Sequence, residues 1–188
     1  MLSSVISPVM AANSGICQIE QEKITGKERN KAIAKAFADK GVQRLRKELI
    51  ETGFKLKEIK ASKIKLDGEV KIVVTVFLER GKDLAVLSYA GADNVFAGVV
   101  VDKRLTVIKY DPISGQSNVI VILGLYELCV DLCKYACFVG CDVGCSSLCS
   151  GTGWFAPICI LVVCPLLCGY IAEYGCGPGC NWLCDQVT

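Results

Sequence analysis

The feature that most constrains this chain is a run of six cysteines, Cys129, Cys133, Cys137, Cys141, Cys145 and Cys149, each four residues from the next. On an α-helix a four-residue step turns about 400°, so successive cysteines drift around the helix by roughly 40°. Cys129, Cys133 and Cys137 then share one face, and Cys141, Cys145 and Cys149 share another, rotated by about 120° if the helix continues past Gly140 and Gly144. Cysteines at this spacing stand about 5–6 Å apart at Cβ, whereas a disulfide requires about 3.8 Å. They must therefore bond to other elements. The chain supplies six partners further on, Cys159, Cys164 and Cys168, then Cys176, Cys180 and Cys184.

Gly151 and Gly153 break the first helix, Pro157 suits the first turn of a second, and Gly175, Gly177, Pro178 and Gly179 mark a break before a third. An up-down-up order fixes a pairing. The antiparallel hairpin joins Cys149 to Cys159, Cys145 to Cys164 and Cys141 to Cys168. A parallel third helix joins Cys129 to Cys176, Cys133 to Cys180 and Cys137 to Cys184. Each bridge closing about fifteen residues contributes around 3 kcal/mol in the chain-entropy account, enough for a short module to tolerate exposed apolar surface. Such surface is present: Val119 to Leu125 and Trp154 to Ala172 are nearly uncharged, and the second approaches the length of a membrane span.

Twelve of the thirteen cysteines lie in this last segment, and Cys17 stands alone. That density belongs to disulfide scaffolds of oxidising compartments. A zinc site fits the spacing only loosely, because the neighbours are Leu, Val, Phe and Ile, the chain has no histidine, and a thiolate cluster needs polar or basic surroundings. Disulfides are the favoured reading, with a cysteine-rich metal-binding protein as an alternative. Residues 1–19 are mildly apolar and end in small residues, Met10-Ala11-Ala12-Asn13. They read as the remnant of a signal peptide without its basic start, the true start codon lying upstream, or as a flexible arm.

The net charge of +2 hides an asymmetry. Up to Asn118 there are twenty Lys/Arg against fourteen Asp/Glu, a net of +6; from Val119 onward there is one lysine against five acids, a net of −4. Opposite potentials favour docking of the first part on the second.

Residues 20–111 read as an α+β domain. Lys27 to Glu51 has the period of one long amphipathic helix, with Ala32, Ala36, Val42, Leu45, Leu49 and Ile50 recurring at helical spacing among Lys, Arg and Glu. Thr25 and Glu28 form a capping box at its start, and Gly53 ends it. The period then changes to two. Phe54 to Leu66, Val70 to Leu78, Leu84 to Tyr89, Val95 to Val101 and Leu105 to Tyr110 follow at hairpin spacing, separated by turns such as Asp67-Gly68 and Gly91-Ala92-Asp93-Asn94. A long helix packed on a four- to five-stranded antiparallel sheet is a cystatin-like layout. Such folds occur as inhibitors, pro-domains and binding modules. The domain carries no histidine, no phosphate-binding glycine loop and no metal-ligand spacing. Glu48, Glu51 and Glu58 read as solvated positions rather than a carboxylate pair. The expectation is therefore a protein that is not an enzyme, uses no cofactor and binds no nucleic acid.

Residues 112–118 read as a linker, and Ile113, Ser114, Gly115, Gln116, Ser117 and Asn118 form the candidate cleavage region, since exposed small polar segments are preferred sites of proteolysis. Residues 119–188 form the all-α, disulfide-stapled module.

The run Cys133-Lys134-Tyr135-Ala136, the pairs Gly140-Cys141 and Gly144-Cys145, and Ile171-Ala172-Glu173-Tyr174-Gly175-Cys176-Gly177 resemble the cysteine-rich microhalocins, halocin-type peptide bacteriocins. The resemblance covers the C-terminal segment alone. The chain departs from that family in its greater number of cysteines and stricter four-residue spacing. The resemblance implies an exported precursor cut by a processing protease. Its C-terminal hydrophobic, multi-cysteine part, from about Ile113 or later to Thr188, is then the antimicrobial peptide, and its N-terminal part is an immunity domain. A pro-domain that keeps the peptide soluble is an equal reading. The acidic module disfavours charge-driven binding to anionic lipid, so the expected partner is a target-cell membrane entered by hydrophobic insertion, or a membrane protein. The other reading is an uncleaved, membrane-associated structural or interaction protein.

Overall fold

The computed structural model describes residues 22–66, 69–101, 104–122, 126–141, 149 and 156–185. In chain order they form β1 (Glu22–Lys23), α1 (Gly26–Ala38), α2 (Lys40–Glu51), β2 (Lys55–Leu66), β3 (Glu69–Arg80), β4 (Asp83–Tyr89), β5 (Val95–Val101), β6 (Arg104–Asp111), β7 (Gln116–Ile122), α3 (Tyr126–Val139), α4 (Ala156–Tyr174) and α5 (Cys176–Asp185). The seven strands make one antiparallel meander whose spatial order is the order of the sequence.

Three expectations about the first half are corrected. The sheet has seven strands rather than four or five. Two come from segments read otherwise: β1, from the stretch before the first helix, and β7, from the segment read as linker and module. The long helix is two. Asp39 adopts extended backbone between them, and its Oδ1 accepts from the N–H groups of Gly41 (2.8 Å) and Val42 (3.3 Å). A short acceptor so placed satisfies the donors of a new helix start. The bend lets Ala32 and Ala36 of α1, and Val42, Leu45 and Leu49 of α2, bury against the same sheet face. Thr25 occupies the cap position of α1 without a side-chain capping bond, and Glu28 pairs instead with Lys63 of β2 at 3.2 Å.

Both faces of the sheet are covered. Alternation sends Val74, Val76 and Leu78 of β3, with Ala85 and Leu87 of β4, into the core beneath α1 and α2. It sends Val73, Phe77, Leu84 and Val86 into a second core shared with α3, α4 and α5. Burial on both sides explains why β3 and β4 read as continuous apolar runs. The molecule is therefore three-layered: helix pair, sheet, cysteine-bridged helices. The two halves of the sequence share a core.

Candidate functional site

The site begins with α4, which contains the most apolar stretch of the chain. Its nineteen residues are long and apolar enough to cross a membrane by length and composition, yet most of that stretch is buried in the fold. Ile158, Leu161, Val162, Leu166, Leu167 and Tyr170 pack on the sheet core.

Three contacts seat the helix. Gly98 of β5 has no side chain, and a Cβ there would collide with Val162 Cγ1 and lie 3.3 Å from Leu166 Cδ1. The glycine thus sets how closely helix and sheet approach. Pro165 has no N–H to give the carbonyl four residues earlier, that of Leu161. The helix takes a π turn over Cys159–Val163, and the Ser88 hydroxyl of β4 donates to the Leu161 carbonyl at 2.5 Å. At the far end the fully buried Tyr170 accepts at its hydroxyl from the Leu84 N–H at 3.1 Å. Burial raises the pKa of that hydroxyl well above the ordinary tyrosine value. At the rim, Lys57 of β2 bonds Glu173 at 2.6 Å and Glu79 at 3.1 Å. The hydrogen bond to Glu173 leads in raising the lysine's pKa.

The bridges form a nested ladder. Cys129–Cys184, Cys133–Cys180, Cys137–Cys176 and Cys141–Cys168 tie α3 and its end to α5 and α4, and Cys149–Cys159 ties the start of the second arm. The expected pairs Cys149–Cys159, Cys141–Cys168 and Cys133–Cys180 are present. Cys164 is bridged, and its expected partner Cys145 lies outside the described residues, as do Cys17 and the rest of residues 1–19.

The expected Cys129–Cys176 and Cys137–Cys184 are corrected to Cys129–Cys184 and Cys137–Cys176. Gly175 alone separates α4 from α5, at φ +82. One residue leaves no chain to carry α5 back to the start of α3, so α5 continues antiparallel to α3 rather than parallel. Gly179 keeps the crossing tight, since a Cβ there would sit 2.7 Å from the Tyr170 carbonyl oxygen.

Adjacent rungs touch. Sγ of Cys133 lies 3.9 Å from that of Cys184, and Sγ of Cys137 lies 3.9 Å from that of Cys180. The sulfurs of Cys129, Cys133 and Cys184, and those of Cys149, Cys159 and Cys164, gather within 4.8 Å of one another. All six are in disulfides, and bonded sulfur offers no thiolate charge, so in this oxidised form these clusters are crossings of bridges rather than ligand sets. A cavity of about 300 Å³ lies between α3 and α5, walled by Cys133, Cys137, Cys176 and Cys180 with Tyr126 and Val130. Phe138, also of α3, exposes 88% of its surface.

The candidate cleavage residues divide between two settings. Ile113, Ser114 and Gly115 form the turn between β6 and β7, with Ile113 almost wholly exposed and Gly115 at φ +66. Gln116, Ser117 and Asn118 belong to β7, paired with Asp111, Tyr110 and Lys109. The segment read as a linker is a hairpin. Asp111 holds the turn by accepting from the Ser114 hydroxyl (2.7 Å) and the Ile113 N–H (3.0 Å). Those bonds, the Ser114 hydroxyl's first, lower its carboxyl pKa below the usual carboxylate value. Glu48, Glu51 and Glu58 are surface ion-pair partners of Arg44, Lys47 and Lys60. The signal for the α4 seat was present in the sequence as Pro165 inside an apolar run and Gly98 inside a strand; neither identifies its partner without the fold. Comparison with protein-family models, with curated proteins and with solved structures gives no match.

Proposed function

We propose that this chain is an exported bacteriocin precursor whose sheet domain covers a disulfide-bridged, membrane-directed C-terminal peptide until processing. The observation that carries the reading is the seating of α4. The one described helix able to cross a membrane is held against the sheet by Gly98, Ser88 and Leu84. A cover of this kind keeps most of this apolar stretch out of water and away from the producer's own bilayer. The sheet domain thereby serves as pro- or immunity domain, and the bridged module is the killing part, acting at a target membrane or on a membrane protein. The exposed β6–β7 turn is where a processing protease reaches the chain.

The integration of β7 into the sheet favours a second reading, an uncleaved membrane-associated interaction protein. Intact mass measurement of the producer's culture supernatant, with and without reduction and alkylation, separates the two. A species beginning between Ile113 and Asn118 that takes up label at its twelve cysteines only after reduction, and that kills indicator cells when freed of the sheet domain, supports the precursor. Full-length, cell-bound protein as the sole product sinks it.

A further inference from the structure

We propose that the face formed by α1 and the projecting end of the β2–β3 hairpin docks on an anionic lipid bilayer. Lys27, Lys31 and Lys35 are spaced four apart along the exposed side of α1, so they form one stripe. None of the three has an ion-pair partner among the described residues, whereas the nearby acids are engaged: Glu28 with Lys63 at 3.2 Å and Glu69 with Lys71 at 3.8 Å. Among the described residues of α1 and the hairpin end, the stripe therefore supplies the net positive charge.

Beside it, the hairpin runs past the end of β4. Val74 is the last residue of β3 paired with β4, while β2 and β3 remain paired out to Leu66 and Glu69. On that extension Val70 and Ile72 expose 72% and 40% of their surfaces. Between stripe and hairpin lies a cavity of about 480 Å³, with Lys31, Lys35 and Lys71 among its walls and Ile72, Val74 and Tyr89 supplying apolar lining.

Lysines alone are the ordinary surface of a soluble helix, and exposed β-branched residues alone are common. Together on one face they match the two components of a bilayer interface, anionic headgroups and the apolar layer beneath them. A soluble anion would satisfy the lysines and leave Val70 and Ile72 in water. The face belongs to the basic half of the chain and lies across the sheet from the acidic module, which would point away from the bound bilayer. The inference does not depend on the fate of that module.

The test is co-sedimentation of the oxidised full-length protein with vesicles of phosphatidylcholine alone and of phosphatidylcholine with phosphatidylglycerol. Binding is expected only with the anionic lipid, weakened by added salt. Lys31→Glu with Lys35→Glu should weaken it by roughly thirtyfold or more, Lys31→Gln with Lys35→Gln by less, and Val70→Ser with Ile72→Ser should also weaken it, each with an unchanged melting curve. Failure to sediment, equal binding to neutral vesicles, or full binding by the charge-reversed variant would overturn the proposal. So would release by soluble glycerol phosphate at matched ionic strength, which would assign the cavity to a free anion. No killing assay enters, so the result is separable from the precursor reading.

Discussion

The Ser88 hydroxyl, on the sheet, hydrogen-bonds the Leu161 carbonyl, in the middle of α4, at 2.5 Å. It supplies the donor that Pro165 lacks, and the serine is fully buried. Ser88→Ala should therefore leave a buried carbonyl short of a partner and destabilise the protein by about 1–3 kcal/mol. Chemical denaturation of the oxidised protein measures it. A change near zero would mean that the π turn satisfies itself.

Gly98 meets Val162 with no room for a methyl group. Gly98→Ala is expected to overpack the interface and destabilise by about 1–3 kcal/mol, and Val162→Ala in the same chain should recover part of the loss. A double-mutant cycle reads the coupling. Simple additivity would contradict the close approach of β5 and α4.

Cutting the β6–β7 turn should not by itself release the C-terminal part. β7 stays paired to β6 from Leu105↔Ile122 to Asp111↔Gln116, and α4 stays in the core. After limited proteolysis between Ile113 and Gly115, the two fragments are expected to co-elute on native size exclusion and to separate only in denaturant. Elution as two species without denaturant would refute this.

The turn should open in acid. Asp111 has a lowered pKa in the folded protein because it accepts from Ser114 and Ile113, with Lys109 adding to the effect. Its support for the turn is complete above the ordinary aspartate range and is lost as pH falls through the lower folded value. Cleavage at the turn by an acid-active protease should accelerate as pH falls through that window. Asp111→Asn should flatten the profile, and parallel profiles for the two proteins would exclude this role.

Access orders the bridges. Cys137 and Cys176 are exposed, while Cys129 and Cys184, and Cys149 and Cys159, are buried. Brief treatment with a phosphine followed by alkylation should label Cys137 and Cys176 first, because exchange requires the reagent to reach sulfur. Early labelling of Cys129 or Cys149 would show that the module opens as a unit.

Much of this architecture was legible from residue patterns. The strands β2 to β6 announced themselves by their turns, with alternation in β2 and a β-branched run in β3, and two of the hairpin bridges, Cys149–Cys159 and Cys141–Cys168, followed from the glycine breaks. The missed features have physical causes. Asp39 ends α1 and starts α2, and the break leaves only a phase jump: the six residues from Ala36 to Val42 would turn an unbroken helix about 600°, roughly 120° off the stripe, while the cap shows only in the backbone. The Val119–Ile122 run is apolar and short, a pattern that periodicity cannot assign between buried strand and helix; its β-branched composition was the available clue. The direction of α5 depended on a one-residue connection at Gly175, which composition marks as a break without saying whether the chain reverses. The seat of α4 joins Ser88 to Leu161 and Gly98 to Val162 across more than sixty positions, and no local pattern carries such a pairing.

Because every strand pairs with its neighbour in the sequence, the sheet can be complete when β7 leaves the ribosome or the export channel, before any cysteine of α3 has emerged. The bridged helices then oxidise against a surface already in place. That order of birth makes the first half of the chain a mould for the second, one that selects a nested set of crosslinks from the many that twelve thiols allow.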